Sequence, residues 1–159
     1  MQHMRLKQFS ETVLISMITM LAVVAENIAF AEPTVITLTQ VPCQFLEIES
    51  KDHGFTSSLS DECEKINART SHQRNKETSI LRLKPGEYIF RVANKNVPYE
   101  LGFYLRTASL IDRLSLPCVS GGGLITGRTQ DYPITLVAGE YSFSCPLNPT
   151  PDYHLTVSN

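Results

Sequence analysis

From Thr34 to Val41, apolar Val35, Ile36, Leu38 and Val41 are interspersed with threonine, which predicts an opening strand. Pro42 interrupts it, and Gln44 to Glu49 continues in the same extended pattern. Between Ser58 and Lys76 the period changes. Leu59, Cys63, Ile66 and Thr70 share one face at helical spacing, and the rest of the segment is mostly polar. This predicts one short surface helix, its start capped by Asp61 with Glu64 three residues on.

Beyond Ser79 the period returns to two. Leu81-Arg82-Leu83 runs into the turn signal Lys84-Pro85-Gly86. Tyr88, Phe90 and Val92 then face one way, and after the loop Asn94–Pro98 so do Tyr99, Leu101, Phe103 and Leu105. Ser109 to Gly127 carries Gly121-Gly122-Gly123 and reads as irregular. Further strands are expected over Asp131–Val137, Glu140–Cys145 and Tyr153–Val157. Seven or eight short strands with Gly and Pro turns predict an all-β sandwich.

An internal echo bears on topology. Leu83-Lys84-Pro85-Gly86-Glu87-Tyr88-Ile89-Phe90 is matched by Leu136-Val137-Ala138-Gly139-Glu140-Tyr141-Ser142-Phe143. The reading is two hairpins of one design, placed in opposite sheets of a Greek-key sandwich.

The N-terminal segment has another character. Arg5 and Lys7 precede a largely apolar run from Val13 to Ala25, followed by Ala29-Phe30-Ala31. A basic start, a short apolar run and an Ala-x-Ala site predict a signal peptide over residues 1–31, cleaved to leave a domain of residues 32–159. The run falls short of the ~20 residues that a spanning helix needs. The mature chain is therefore expected to be periplasmic or secreted, without a membrane span.

Composition narrows the partners. The chain has 159 residues, a net charge of −2 and 42% hydrophobic residues, which suits one globular domain. It has no basic excess, so a nucleic-acid partner is not expected. A monomer is expected, with a metal ion or a periplasmic protein as partner. All four methionines precede the cleavage site, and Cys43, Cys63, Cys118 and Cys145 all follow it. An even cysteine count in an exported chain favours disulfides, and four cysteines allow three connectivities. Cys43 follows the first strand, and Cys63 faces inward on a helix with little else to hold it, so the expected pair is Cys43–Cys63.

Gly139-Glu140-Tyr141-Ser142-Phe143-Ser144-Cys145 resembles the Gly-x-Tyr-x-Phe-x-Cys strand of the cupredoxin-like family, whose cysteine ligates copper. Val92-Ala93-Asn94-Lys95-Asn96-Val97-Pro98-Tyr99-Glu100 is similar to that family's first, Asn-containing ligand loop. The resemblance spans roughly Ile80 to Val157 and implies a cupredoxin-like Greek-key fold. It also implies a copper pole at which Tyr99 and Asn148 stand where the family has its two histidines. The mature chain has no methionine for the weak axial position. The candidate metal residues are accordingly Cys145, Tyr99, Asn148 and Cys118. A blue centre needs two imidazoles beside the thiolate. The resemblance thus implies non-blue copper binding or an accessory role in copper handling or electron transfer, the alternative being a metal-free interaction module.

Cys145 itself reads as a buried thiol, as half of a disulfide with Cys118, or as one of two thiolates suited to Cu(I). Glu100 and His154 are expected on outward faces, and His53 and His72 form no ligand pair. No nucleophile elbow, Cys-x-x-Cys, His-Glu-x-x-His or phosphate-binding glycine motif occurs, so no enzymatic activity is expected.

Overall fold

The structure is a computed structural model that describes residues 32–49, 51–109 and 115–159. The signal peptide expected over residues 1–31 lies outside these residues. In chain order the elements are β1 (Thr34–Val41), β2 (Gln44–Phe45), α1 (Ser60–Glu77), β3 (Leu81–Leu83), β4 (Gly86–Asn94), β5 (Leu101–Thr107), β6 (Val119–Leu124), β7 (Thr129–Leu136), β8 (Gly139–Ser144) and β9 (Tyr153–Val157). They build an all-β sandwich with one helix. The first sheet has the order β2-β1-β4-β7 and the second β3-β9-β8-β5-β6. Strand β1 runs parallel to β4, from Thr34 opposite Tyr88 to Gln40 opposite Asn94. Strand β3 runs parallel to β9, and the remaining pairs are antiparallel.

Period-two alternation fills the space between the sheets. Tyr88, Phe90 and Val92 of β4 face Leu101, Phe103 and Leu105 of β5 and Tyr141 and Phe143 of β8 in one buried cluster. Phe103 is its hub, with ring centroids 5.3 Å from Phe90, 5.2 Å from Tyr132 and 5.9 Å from Phe143. Each such side chain contributes roughly 1.5–3 kcal/mol on burial, so these rings carry much of the driving force for folding.

The echo turns out to mark corners rather than hairpins. Strands β3 and β4 lie in different sheets, as do β7 and β8. Gly86 and Gly139 therefore begin strands that follow a crossing between sheets. At each crossing the tyrosine two residues later reaches back. Tyr88 donates its hydroxyl to the Lys84 carbonyl at 2.8 Å, and Tyr141 donates to the Val137 carbonyl at 2.9 Å. A tyrosine hydroxyl bonded to upstream backbone pins a sandwich corner. Gly139 also packs closely, because a Cβ there would stand 2.7 Å from Leu116 Cδ1 and the leucine side chain would have to turn away.

Gly121-Gly122-Gly123 was expected in irregular chain and instead lies in strand β6, paired with β5. The pairing is close. A Cβ on Gly102 would meet the Gly121 carbonyl oxygen at 2.6 Å, and one on Gly121 would meet the Tyr132 ring at 3.0 Å. Glycine here permits close approach of two backbones, a use its loop preference conceals.

The helix spans Ser60–Glu77, and its start is closed by a different residue from the one expected. Glu62 turns back to accept the backbone N–H groups of Ser58, at 2.6 Å, and Leu59, at 3.3 Å. Asp61 instead pairs with Lys65 on the exposed side. Leu59 is 63% exposed, and the buried positions are Cys63, Asn67 and Arg74. The inward stripe is thus chiefly polar. Apolar burial cannot hold such a helix, so covalent and polar links must. No helix among the described residues is long and apolar enough to cross a membrane.

Candidate functional site

The end of the sandwich where β1 meets β2, β4 leads to β5 and β8 leads to β9 collects buried polar side chains. Cys43, at the turn after β1, has a positive φ of 67° and is disulfide-bonded to Cys63 of α1 with Cα atoms 5.0 Å apart. The pair expected from sequence is therefore present. Both cysteines are fully buried.

Asn148, also fully buried, is wired into that turn. Its Oδ1 accepts the Cys43 backbone N–H at 2.9 Å and the Tyr99 hydroxyl at 3.2 Å. Its Nδ2 donates to the Val41 carbonyl at 3.0 Å. The disulfide sulfur of Cys63, which carries no hydrogen, also lies 3.2 Å from Oδ1. Tyr99 in turn has its hydroxyl 2.9 Å from Ser57 Oγ. Burial pushes the Tyr99 phenol up from its ordinary pKa, against the opposing pull of the Ser57 hydrogen bond. It therefore stays protonated at neutral pH.

Cys145 follows β8 and points inward in line with Tyr141 and Phe143. It is a free, fully buried thiol. Backbone N–H groups from Gly102, at 3.4 Å, and Asn148, at 3.3 Å, point at its sulfur. Burial raises the thiol's pKa, while these N–H groups, that of Leu147 and the Gln40 side chain act in the opposite sense. Burial prevails, so the resting group is the neutral thiol. A cleft of about 460 Å³ is lined by Gly102, Gly121, Gly122, Pro146 and Leu147, among others. Two of the peptide units that touch the sulfur, at Gly102 and Leu147, thus also border a surface opening.

Three of the four candidate metal residues come together here: Cys145, Asn148 and Tyr99 form one hydrogen-bonded chain. Cys118 does not join them. It is free and exposed. Phe103 and Gly121 are paired and so are Tyr104 and Ser144, which places Cys145 level with Phe103 and Cys118 level with Arg106. Three residues along and two strands across separate the two cysteines by about 14 Å, twice the ~7 Å limit for a disulfide. The resemblance sets the loop carrying Cys118 at the Cys145 end, whereas β6 pairs with β5 and puts Cys118 at the other end.

The donor set does not suit an imidazole-bound Cu(II) centre. The Asn148 oxygen is engaged by the Cys43 N–H and the Tyr99 hydroxyl, His53 is held by Glu49 at 2.8 Å, and His154 is exposed on β9. No cluster of three or more His, Cys, Asp or Glu residues among the described residues could hold a metal. One buried side-chain acceptor among the described residues, the Gln40 oxygen, has no hydrogen-bond partner. Sequence reading passed over Gln40, although a glutamine two positions after inward-facing Leu38 on a period-two strand was a legible signal.

It also passed over Glu49, Arg74 and Tyr153, which build a buried polar cluster beneath the helix. Arg74 donates to both Glu49 oxygens, to the Cys43 carbonyl at 2.9 Å and to Asn67. Tyr153 donates to Glu49 as well. Asn67 carries the link onward to the Pro149 carbonyl, beside Asn148.

No family model matches the chain, and no curated protein matches it in sequence.

Proposed function

We propose that this chain is an exported, cupredoxin-like Greek-key domain that handles copper as Cu(I) through Cys145 and forms no blue Cu(II) centre. The observation that carries this reading is the setting of the Cys145 sulfur: backbone N–H groups converge on it, inside the core, at the end of the strand that resembles the family's copper strand. Thiolate is a soft donor and selects Cu(I) over harder cations. A thiolate paired with Cu(I) is neutral overall, which a dry site tolerates better than a bare charge. Export is supported by the Ala29-Phe30-Ala31 site after a short apolar run, and by a structural disulfide, which persists in oxidising compartments such as the periplasm.

The test is a titration of the chain, with its thiols reduced, with Cu(I) against a chromophoric competitor. One equivalent should bind, and Cys145→Ser should abolish it. Adding Cu(II) should leave the protein nearly colourless, and an intense blue colour would overturn the reading. Protein recovered from the exporting cell should begin Glu32-Pro33-Thr34.

The second reading, a metal-free interaction module with a degenerate copper site, is favoured by Asn148. Its amide ties β1 to the β8–β9 loop by the same kind of cross-bracing that a bound metal would supply. Failure of the reduced protein to bind Cu(I) would leave this reading standing.

A further inference from the structure

We propose that the cleft between segments 51–58 and 95–98 binds a free apolar α-amino acid, with the ammonium group at Asp52 and the carboxylate at Lys95. The inference does not rest on the Cu(I) reading, since Cys145 does not line this cleft. The cavity measures about 470 Å³, a volume within the range of small-molecule sites. Asp52 and Lys95 both line it, and neither takes part in an ion pair among the described residues. Asp52 Oδ1 accepts the Gly54 N–H at 2.8 Å, which leaves the second carboxylate oxygen without a protein partner. One cavity thus presents an anion and a cation that do not neutralise each other. A simple anion would meet Lys95 but be repelled by Asp52, and a simple cation would meet the reverse. A zwitterion satisfies both. Pro42, Phe55 and Pro98 supply apolar wall, which suits an apolar side chain between the two charges.

Both walls are fastened to the sandwich, so the cleft is formed before any ligand arrives. In the first wall, Gln44 donates to the Lys51 carbonyl at 3.1 Å and accepts the His53 N–H at 3.0 Å. Phe55 is stacked on the His53 ring with centroids 5.2 Å apart, and the Arg74 guanidinium lies 4.9 Å from its centroid. Ser57 donates to the Leu59 carbonyl at 2.7 Å. In the second wall, the Lys95 N–H donates to the Gln40 carbonyl at 2.8 Å, and the Asn94 side chain accepts the Val97 N–H at 3.1 Å. The Thr126 hydroxyl donates to the Val97 carbonyl at 2.5 Å. A site held in this way spends little binding energy on ordering its own loops.

The test follows amide NMR spectra of the metal-free chain during titration with leucine, N-acetyl-leucine and leucinamide. Leucine should shift the amides of 52–58 and 95–97. N-acetyl-leucine lacks the ammonium group and leucinamide lacks the carboxylate, so each should bind about tenfold more weakly, the scale of one lost hydrogen bond to a charged group. Asp52→Asn keeps an oxygen for the Gly54 N–H. It should weaken leucine by the same factor and leave N-acetyl-leucine unchanged. Lys95→Met keeps the aliphatic stem, and it should weaken leucine likewise while leaving leucinamide unchanged. Thermal unfolding checks that both variants fold, and the three-ligand comparison on the parent chain decides the matter even where a variant does not. Equal binding of all three compounds, shifts confined to other residues, or no shift at millimolar leucine would overturn the proposal.

Discussion

Arg74 clasps Glu49 with two hydrogen bonds in a pair that is almost wholly buried, the Nε bond measuring 2.8 Å. The remaining carboxylate lone pairs take the Tyr153 hydroxyl and His53 Nε2. Burial and the adjacent Glu49 charge push the Tyr153 phenol well above its ordinary pKa, so it stays protonated, donating to Glu49 and accepting the Phe45 backbone N–H at 3.3 Å. Arg74 also stacks over Phe55, 4.9 Å from its centroid. These links and the disulfide fasten a helix that has almost no apolar face.

Breaking that pair from one side should be costly, because it strands a buried charge. Arg74→Ala or Glu49→Ala should lose about 3–5 kcal/mol of stability. The double substitution should cost less than the sum, since neither charge is then left alone. Denaturant unfolding of the three variants measures this. Additive losses would show that the pair is not the fastening.

The Cys43–Cys63 bridge has a sequence separation of 20 residues. Closing a loop of that size is worth roughly 3 kcal/mol in the chain-entropy account. Cys43→Ala/Cys63→Ala should lose about that much and release the helix before the sandwich unfolds. Hydrogen exchange should then show protection lost over 60–77 and retained over β4, β5 and β8. Equal loss everywhere would mean that the helix and the sandwich form one cooperative unit.

The two tyrosine corners should behave alike. Tyr88→Phe and Tyr141→Phe each remove a single hydroxyl bonded to backbone, worth about 1 kcal/mol. The corners are separate, so the double variant should lose the sum of the two. Thermal or denaturant unfolding decides it, and a corner whose loss changes nothing would be ornamental.

The two free thiols should differ sharply. Exposed Cys118 should react with iodoacetamide in the folded protein, and Cys145 only after unfolding. Mass mapping distinguishes them. Because burial raises the Cys145 pKa, the folded state favours its neutral form. The stability this contributes is complete below the unfolded thiol value of about 8.5 and is lost as pH rises through the higher native value. Tyr132, pushed up to about 12 by burial, continues the trend at higher pH. Unfolding free energy should therefore fall steadily above about pH 9, and Cys145→Ala should flatten the first part of that fall.

Much of this protein was legible in its sequence. Period-two alternation identified the inward rings Tyr88, Phe90, Phe103 and Phe143, because each strand position has only two faces to choose from. Compartment and position together selected Cys43 and Cys63. The repeated Gly-Glu-Tyr pattern marked two equivalent places, since a tyrosine reaching its own upstream backbone is a local event. Whether those places were hairpins or corners was decided only by which sheet each strand joined. Tertiary structure likewise decided which polar residues are buried. Gln40 meets Gly102 across 62 residues, and Cys43 meets Asn148 across 105. Arg74 reads as a solvated helix residue until Glu49 is brought beneath it, and Gly121 reads as loop until β5 approaches. A buried polar group is stable only with its partner present, and here the partners lie in segments too distant along the chain for any local pattern to specify.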